Sequence, residues 1–184
     1  MGDSSYSDKE LLAMFRDPSR KNYAFNLITR KYQERLYWHL RKMVISHEDA
    51  DDLLQNTLVK AWTALDDFRE ESQLFTWLYR IATNEALSFL RKKRTRFFLP
   101  LVDVENQLEN TLESDPYFEG DEMQKKLQKA ILRLPEKQRI VFNMRYFDEL
   151  KYEEISEILN TSVGALKASY HHAAEKIEKY LKED

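Results

Sequence analysis

Trp77, Arg80, Asn84, Ser88 and Arg91 lie at offsets of three, seven, eleven and fourteen residues within FREESQLFTWLYRIATNEALSFLRKKRTR, Phe68 to Arg96. On a helix beginning near Leu74, about 100° per residue puts all five on one stripe. Leu74, Leu78, Ile81, Ala82 and Phe89 fall on the opposite face, where a core would take them. A Trp beside Arg and Asn, running into Arg91-Lys92-Lys93-Arg94-Thr95-Arg96, suits unpaired nucleic acid. The indole can stack on a base, the amide can bond a base edge, and the cations can hold phosphates. The plainer alternative is an amphipathic helix with a half-buried Trp and a basic end that suits its dipole.

A second set of residues points to duplex DNA. Tyr152–Ala173 (YEEISEILNTSVGALKASYHHA) has the form of a helix-turn-helix. Its first helix carries Ile155, Ile158 and Leu159, and its second carries Val163, Leu166, Tyr170, Ala173 and Ile177 inward. Gly164, Lys167, Ala168, His171 and His172 point outward or flank that face, after a turn at Asn160-Thr161-Ser162. Small residues at the start of that helix let backbone approach phosphate, and Lys167 and the histidines can reach a major groove. A plain helical hairpin is the competing reading, since exposed histidines are usually only solvated. A third set, Asp51, Asp52, Gln55 and Asn56, forms an acidic-amide patch on the helix whose core side is Ala50, Leu53, Leu54, Leu58 and Ala61. Paired carboxylates can serve catalysis, but these sit in a helix's first turns with no pocket partner, so protein docking explains them better.

The elements that must carry these sets are helical. The chain has 184 residues, 42% hydrophobic and 33% charged, with only three Gly and four Pro, so helical periodicity runs long and an all-α fold is expected. Periodicity and caps predict helices over 8–16 (capped by Ser7), 20–44, from Ser46 to about Leu65, and from Leu74 through the basic run. A second group spans 123–134, 136–147, 152–159 and 163–181, with Pro135 at a helix start. Phe25, Ile28, Tyr32, Leu36 and Leu40 line the core side of the second helix. From Leu99 to Glu122 there are eight acids and no Lys or Arg, together with Pro100 and Pro116. That segment reads as a mostly extended, flexible linker in which Leu101, Val102, Leu108, Leu112, Tyr117 and Phe118 can dock. The division is therefore 1–97, a linker 98–122, and 123–184.

The net charge of −3 disfavours non-specific coating of DNA and leaves contact to local patches or to a partner with its own positive charge. No stretch approaches the roughly 18 apolar residues of a membrane span, and the polar start MGDSSYSDKE is unlike a secretory signal. With no cysteine and no close His–carboxylate cluster, neither a disulfide nor a metal site is supported, which fits a cytoplasmic protein without a cofactor.

With these residues in view, DADDLLQNTLVKAWTALDDFREESQLFTWLYRIATNEALSFLRKKR and LPEKQRIVFNMRYFDELKYEEISEILNTSVGALKASYHHA together resemble the sigma-70 family. The small size and single linker resemble its extracytoplasmic-function group, over about Ser19–Arg96 and Met123–Tyr180. The resemblance implies a non-enzymatic initiation factor that binds core RNA polymerase and promoter DNA. It implies that the Asp49–Trp62 helix docks on the polymerase clamp helices, through Asp51, Asp52, Gln55 and Asn56, with Asp52 and Gln55 foremost. It implies that the Phe68–Gln73 loop, with Phe68, Arg69 and Ser72, captures a base flipped from the −10 element. Trp77, Tyr79, Arg80, Asn84 and Arg91 would then hold the opened strand. Ser162, Gly164, Lys167, Ser169, His171 and His172 would read the −35 element, with the polymerase flap beside that domain. The linker would lie along the active-site cleft and RNA exit path, and an anti-sigma protein would clamp the free factor. Two features depart from the family pattern. Glu70 stands where Gly is common, and the second helix of the motif lacks the usual arginines. Without the resemblance, a duplex-binding regulator and a helical interaction protein both remain open.

Overall fold

The computed structural model describes residues 6–96, 108, 110–114 and 120–182, with the side chains of 94–96 excepted. All regular structure among the described residues is helical, as the sparse Gly and Pro lead one to expect. Helix α1 is Asp8–Phe15, fixed by a capping box in which Ser7 Oγ accepts from Glu10 N while Ser7 N donates to the Glu10 carboxylate at 2.7 Å. After it Asp17 folds back to accept from Ser19 N and Oγ, closing the turn at Pro18. Helix α2 (Lys21–Val44) ends at Ile45, whose φ of 65° reverses the chain, and Ser46 caps α3 (His47–Ala64) through Asp49 N. A 3-10 turn (Leu65–Asp67) and the loop 68–73 lead to α4 (Leu74–Arg96).

The first domain packs α1 to α4 around Leu11, Phe15, Ile28, Leu36, Leu40 and Leu78, each essentially without solvent contact. On α3 the buried line is Ala50, Leu53, Thr57 and Ala61. Leu54 and Leu58, expected inside, are only half-buried, because Thr57 occupies that position and satisfies its hydroxyl on Leu53 O at 2.7 Å. On α4 the core line is Leu74, Leu78, Ala82, Ala86 and Leu90, while Ile81 and Phe89 lie at its margin.

The second domain comprises α5 (Glu122–Leu132), α6 (Glu136–Tyr146), α7 (Tyr152–Leu159) and α8 (Val163–Lys182). Asp121 and Gln124 make a capping box for α5, and Pro135 stands immediately before α6, where its missing N–H costs nothing. Asn160, at φ 50°, ends α7 in the left-handed conformation that starts the turn into α8. Ala130, Ile131, Phe142, Ala173 and Ile177 form the domain's own core.

Two departures from the sequence reading concern how the halves meet. The linker is not extended where it is described: Leu108 and residues 110–113 are helical, and Leu108 and Leu112 are buried against Ile45 and Leu132. Four-residue spacing places both leucines on one side of a single turn, too short a run to read as periodicity. Leu101, Val102, Tyr117 and Phe118 lie outside the described residues. Nor do the domains stand apart. α7 packs on α4 and α6 on α2, and Met144, Leu150, Ile155 and Ile158 join the same buried cluster as the first domain's core.

Candidate nucleic-acid interface

The stripe exists as a surface. Trp77 and Arg80 are half-buried, Ser88 likewise, and Asn84 and Arg91 are exposed along one side of α4. Trp77 is held at 5.0 Å, ring centre to ring centre, from Phe68, and its N–H closes the first turn on Gln73 O. Phe68, Arg69, Ser72, Trp77 and Arg80 wall a cleft of about 410 Å³ with Asp67, Glu71 and, from the second domain, Glu157. Arg80 Nε is buried with no hydrogen-bond acceptor among the described residues. Further along, Arg91 Nη2 donates to Ser88 Oγ at 3.3 Å.

Two residues expected on this surface are elsewhere. Tyr79 is buried, with its hydroxyl donating to Arg35 O at 3.3 Å. Burial, then the charge of Asp148, pushes its phenol well above the ordinary value, against the opposing effect of Arg35. The cause is angular: two residues beyond Trp77 is about 200° round the helix, on the core side. Phe68 is also buried, and acts as the floor on which Trp77 rests. Within the basic run, Lys93 is 3.6 Å from Asp49 on α3 and lies over the Phe89 ring, so part of that charge braces the domain.

Glu70 resolves its own anomaly. Its φ of 58° is the left-handed region that favours Gly, at a cost to other residues of roughly 1–2 kcal/mol. Its carboxylate turns away from the cleft to an ion pair with Arg16 Nη2 at 2.5 Å. The backbone thus keeps the loop shape a Gly would give, and the negative charge is paired with the residue just after α1.

The acidic-amide patch is a separate surface on α3. Asp52, Gln55 and Asn56 are exposed, and Asp51 is half-buried with Oδ2 at 3.5 Å from His47 Nε2. On α8, Gly164, Lys167, His171 and His172 are exposed and Ser169 half-buried. A Cβ at Gly164 would meet nothing within 4 Å, so internal packing does not require its smallness. Ser162 Oγ accepts from Ala165 N at 3.3 Å and is the helix cap. Both histidines lie beside one carboxylate, Glu175, at 3.3 and 3.4 Å, which weakens an already thin cationic face. Among the described residues there is no group of three or more His, Cys, Asp or Glu that could hold a metal, and no helix long and apolar enough to cross a membrane.

Sequence reasoning missed one cluster. Asp148, in the corner after α6, is buried and joined to His39 and Lys42 of α2. Nothing local in the sequence pairs residues 106 and 109 positions apart.

A helical domain with an aromatic cleft carrying Arg69 and Arg80, tethered to a helix-turn-helix domain, suits a protein that engages DNA at two places. Comparison with known proteins agrees. Residues 28–96 match the family model for Sigma-70 region 2, and residues 124–177 that for Sigma-70, region 4. The chain is 32% identical over 169 residues to the ECF RNA polymerase sigma factor SigW of Bacillus subtilis, covering 87% of this chain and 90% of that one. It is 32% identical over 174 residues to the RNA polymerase sigma-H factor of Pseudomonas aeruginosa, with 86% of each covered. Its fold is similar to that of the sigma factor RpoE from Bartonella quintana, solved with the anti-sigma factor NepR: TM-score 0.67, 25% identity, 87% of this chain and 98% of that one. It is similar in fold also to CnrH, solved with the cytosolic domain of CnrY: TM-score 0.70, 24% identity, 96% and 98% covered. The chain belongs to the sigma-70 family, in its extracytoplasmic-function group, and is an RNA polymerase sigma factor for promoter-specific initiation.

Proposed function

We propose that this factor works by binding alone, through three separate surfaces. Asp51, Asp52, Gln55 and Asn56 dock α3 on the clamp helices of core RNA polymerase. The 68–73 loop and Trp77, Arg80, Asn84 and Arg91 hold the unpaired strand of the −10 element. Gly164, Lys167, Ser169, His171 and His172 meet the −35 duplex, with Ser162 presenting the start of α8. The observation that carries the strand assignment is the Phe68–Trp77 cleft with the unmet Arg80 Nε in its wall. A stacked base and a bonded phosphate answer both features at once, and binding energy released there offsets part of the cost of unstacking DNA.

The thin cationic face of α8 supports a division of labour in which −35 contact is weak in isolation and gains strength from the polymerase flap beside it. An anti-sigma protein is a further partner, supported by the Bartonella quintana relative's complex with NepR. Reconstitution tests the reading. The factor should co-purify with core polymerase and give promoter-specific run-off transcripts. A duplex-binding regulator would fail the first test, and a purely helical interaction protein would fail the second.

A further inference from the structure

The side chains that join the two domains include a carboxylate from one side and two bases from the other, nearly all of it out of water. Asp148 and His39 are only 4% and 1% exposed, and Lys42 17%. Asp148 Oδ2 lies 3.1 Å from His39 Nδ1, and Oδ1 takes the Lys42 ammonium. The corner that aims Asp148 is tightly specified: its N–H donates to Asn143 O, Leu150 N–H donates to Met144 O, and Glu149 between them is left-handed at φ 55°. A buried carboxylate with two cationic neighbours loses part of its compensation when either neighbour loses its charge.

Hydrogen-bond accounting defines what a charged His39 requires. Thr83 has one hydroxyl hydrogen and two acceptors within reach, Tyr79 O at 2.7 Å and His39 Nε2 at 2.9 Å. When that hydrogen goes to Tyr79 O, Thr83 Oγ1 is the acceptor toward His39 Nε2. An ionised Asp148 can only accept from Nδ1. In that arrangement both ring nitrogens donate, which only the imidazolium can do. Burial alone would raise the Asp148 carboxyl, but the hydrogen bond and charge of His39 and the charge of Lys42 outweigh it and hold it below the usual value. The groups against His39 are Tyr79 (ring centres 4.6 Å apart) and Thr83 from α4 and Asp148 from the corner, which Lys42 of α2 shares. Glu34, Arg35, Arg41 and Glu149 line the interdomain cavity beside Lys42, Tyr79 and Asp148. A neutral ring keeps Nδ1–H toward Asp148 only if the Thr83 hydroxyl swings from Tyr79 O to Nε2. It then leaves the buried carboxylate to Lys42.

What the joint covers gives it meaning. With α7 packed on α4, Glu157 becomes a wall of the Trp77–Arg80 cleft, placing a carboxylate where the strand reading puts a phosphate. We propose that His39, Lys42 and Asp148 form a proton-dependent latch that holds the second domain over the first domain's strand-binding cleft, so that the free factor masks itself and opens as His39 loses its proton. The masking half rests on the strand assignment made above; the latch does not.

The chain contains no cysteine, so Thr63→Cys with Glu178→Cys, both exposed, gives one pair of sites for spin labels in the full-length factor. Labels should report one short distance near pH 5.5 and a growing long-distance population by about pH 8.5, a span that brackets imidazole titration. His39→Gln should abolish the pH response, and Asp148→Asn should be open at both values, with far-UV circular dichroism confirming that its helices persist. A fluorescent −10-type single strand should bind wild type roughly tenfold more tightly at the higher pH, an increase of about 1.4 kcal/mol, and His39→Gln should lack that gain. Distances unchanged by pH in wild type, or an Asp148→Asn protein as closed as wild type, overturn the latch. Opening without tighter strand binding overturns the masking. If Trp77→Ala in the Asp148→Asn background binds the strand as well as its parent, the strand assignment fails and the masking with it, while the distances still decide the latch.

Discussion

Replacing Trp77 by Ala tests the cleft most directly. The indole has two roles that must be separated: the proposed one of offering a face to a base, and its packing on Phe68 at 5.0 Å. Loss of a base–aromatic stack costs ~1–3 kcal/mol. At about 1.4 kcal/mol per factor of ten, that is roughly a 5- to 150-fold smaller open-complex constant. Loss of the ring pair costs the fold another ~0.5–1.5 kcal/mol, which appears in thermal unfolding and not in core binding. Trp77→Phe keeps a ring against Phe68 and should recover most of the stability and part of the opening. The assay is permanganate reactivity of −10 thymines at saturating factor and core polymerase, with core binding measured in parallel. Asn84→Ala, which removes one exposed amide, should lose about 2- to 10-fold by the same assay, the worth of a single hydrogen bond. If Trp77→Ala opens the promoter like wild type while bound to core, or if its deficit follows weakened core binding, the reasoning from stacking is wrong.

Three other outcomes follow from the geometry. Asp52→Ala with Gln55→Ala should weaken competition for core polymerase by roughly 10-fold or more, at ~1 kcal/mol per contact, while the melting temperature stays put because both side chains are exposed. Glu70→Gly should be more stable than Glu70→Ala by about 1 kcal/mol in denaturant unfolding, since both lose the Arg16 pair and only Ala retains the left-handed strain; equal stabilities would refute the strain. On the acid side, the depressed Asp148 carboxyl contributes stability that is present above its unfolded value and lost as pH falls through the folded one. Interdomain docking should therefore weaken below about pH 4, and Asp148→Asn should flatten that limb of the unfolding profile.

The sequence disclosed whatever was periodic or punctuated. Ser7, Ser46 and Pro135 marked helix starts that the structure keeps, and Leu36, Leu40 and Leu78 lie inside as their spacing requires. The stripe of Trp77, Arg80, Asn84 and Arg91 follows from the same rule, and that rule would also have excluded Tyr79, 200° away. Other features depend on tertiary context. Thr57 displaces Leu58 from the α3 core line because it can satisfy its hydroxyl within the helix, a substitution no hydropathy pattern announces. Leu108 and Leu112 needed Ile45 and Leu132 as partners before their short turn meant anything. His39 and Asp148 belong to no motif or periodic line, and only the fold closes the 109 positions between them.

The linker's docking has a kinetic and competitive side. Leu108 touches down between Ile45 at the end of α2 and Leu132 at the end of α5, so one short helical turn is shared by both domains. A domain held on so short a leash meets its partner at an effective concentration near the millimolar range. If Glu157 masks the cleft as proposed, a promoter strand at far lower concentration would compete with it on those terms, however well it fits. A polymerase that drew the linker out between two distant docking points would dilute the competitor instead of outbinding it. The tether's length when stretched, as much as any contact in the cleft, then sets when the factor can engage DNA.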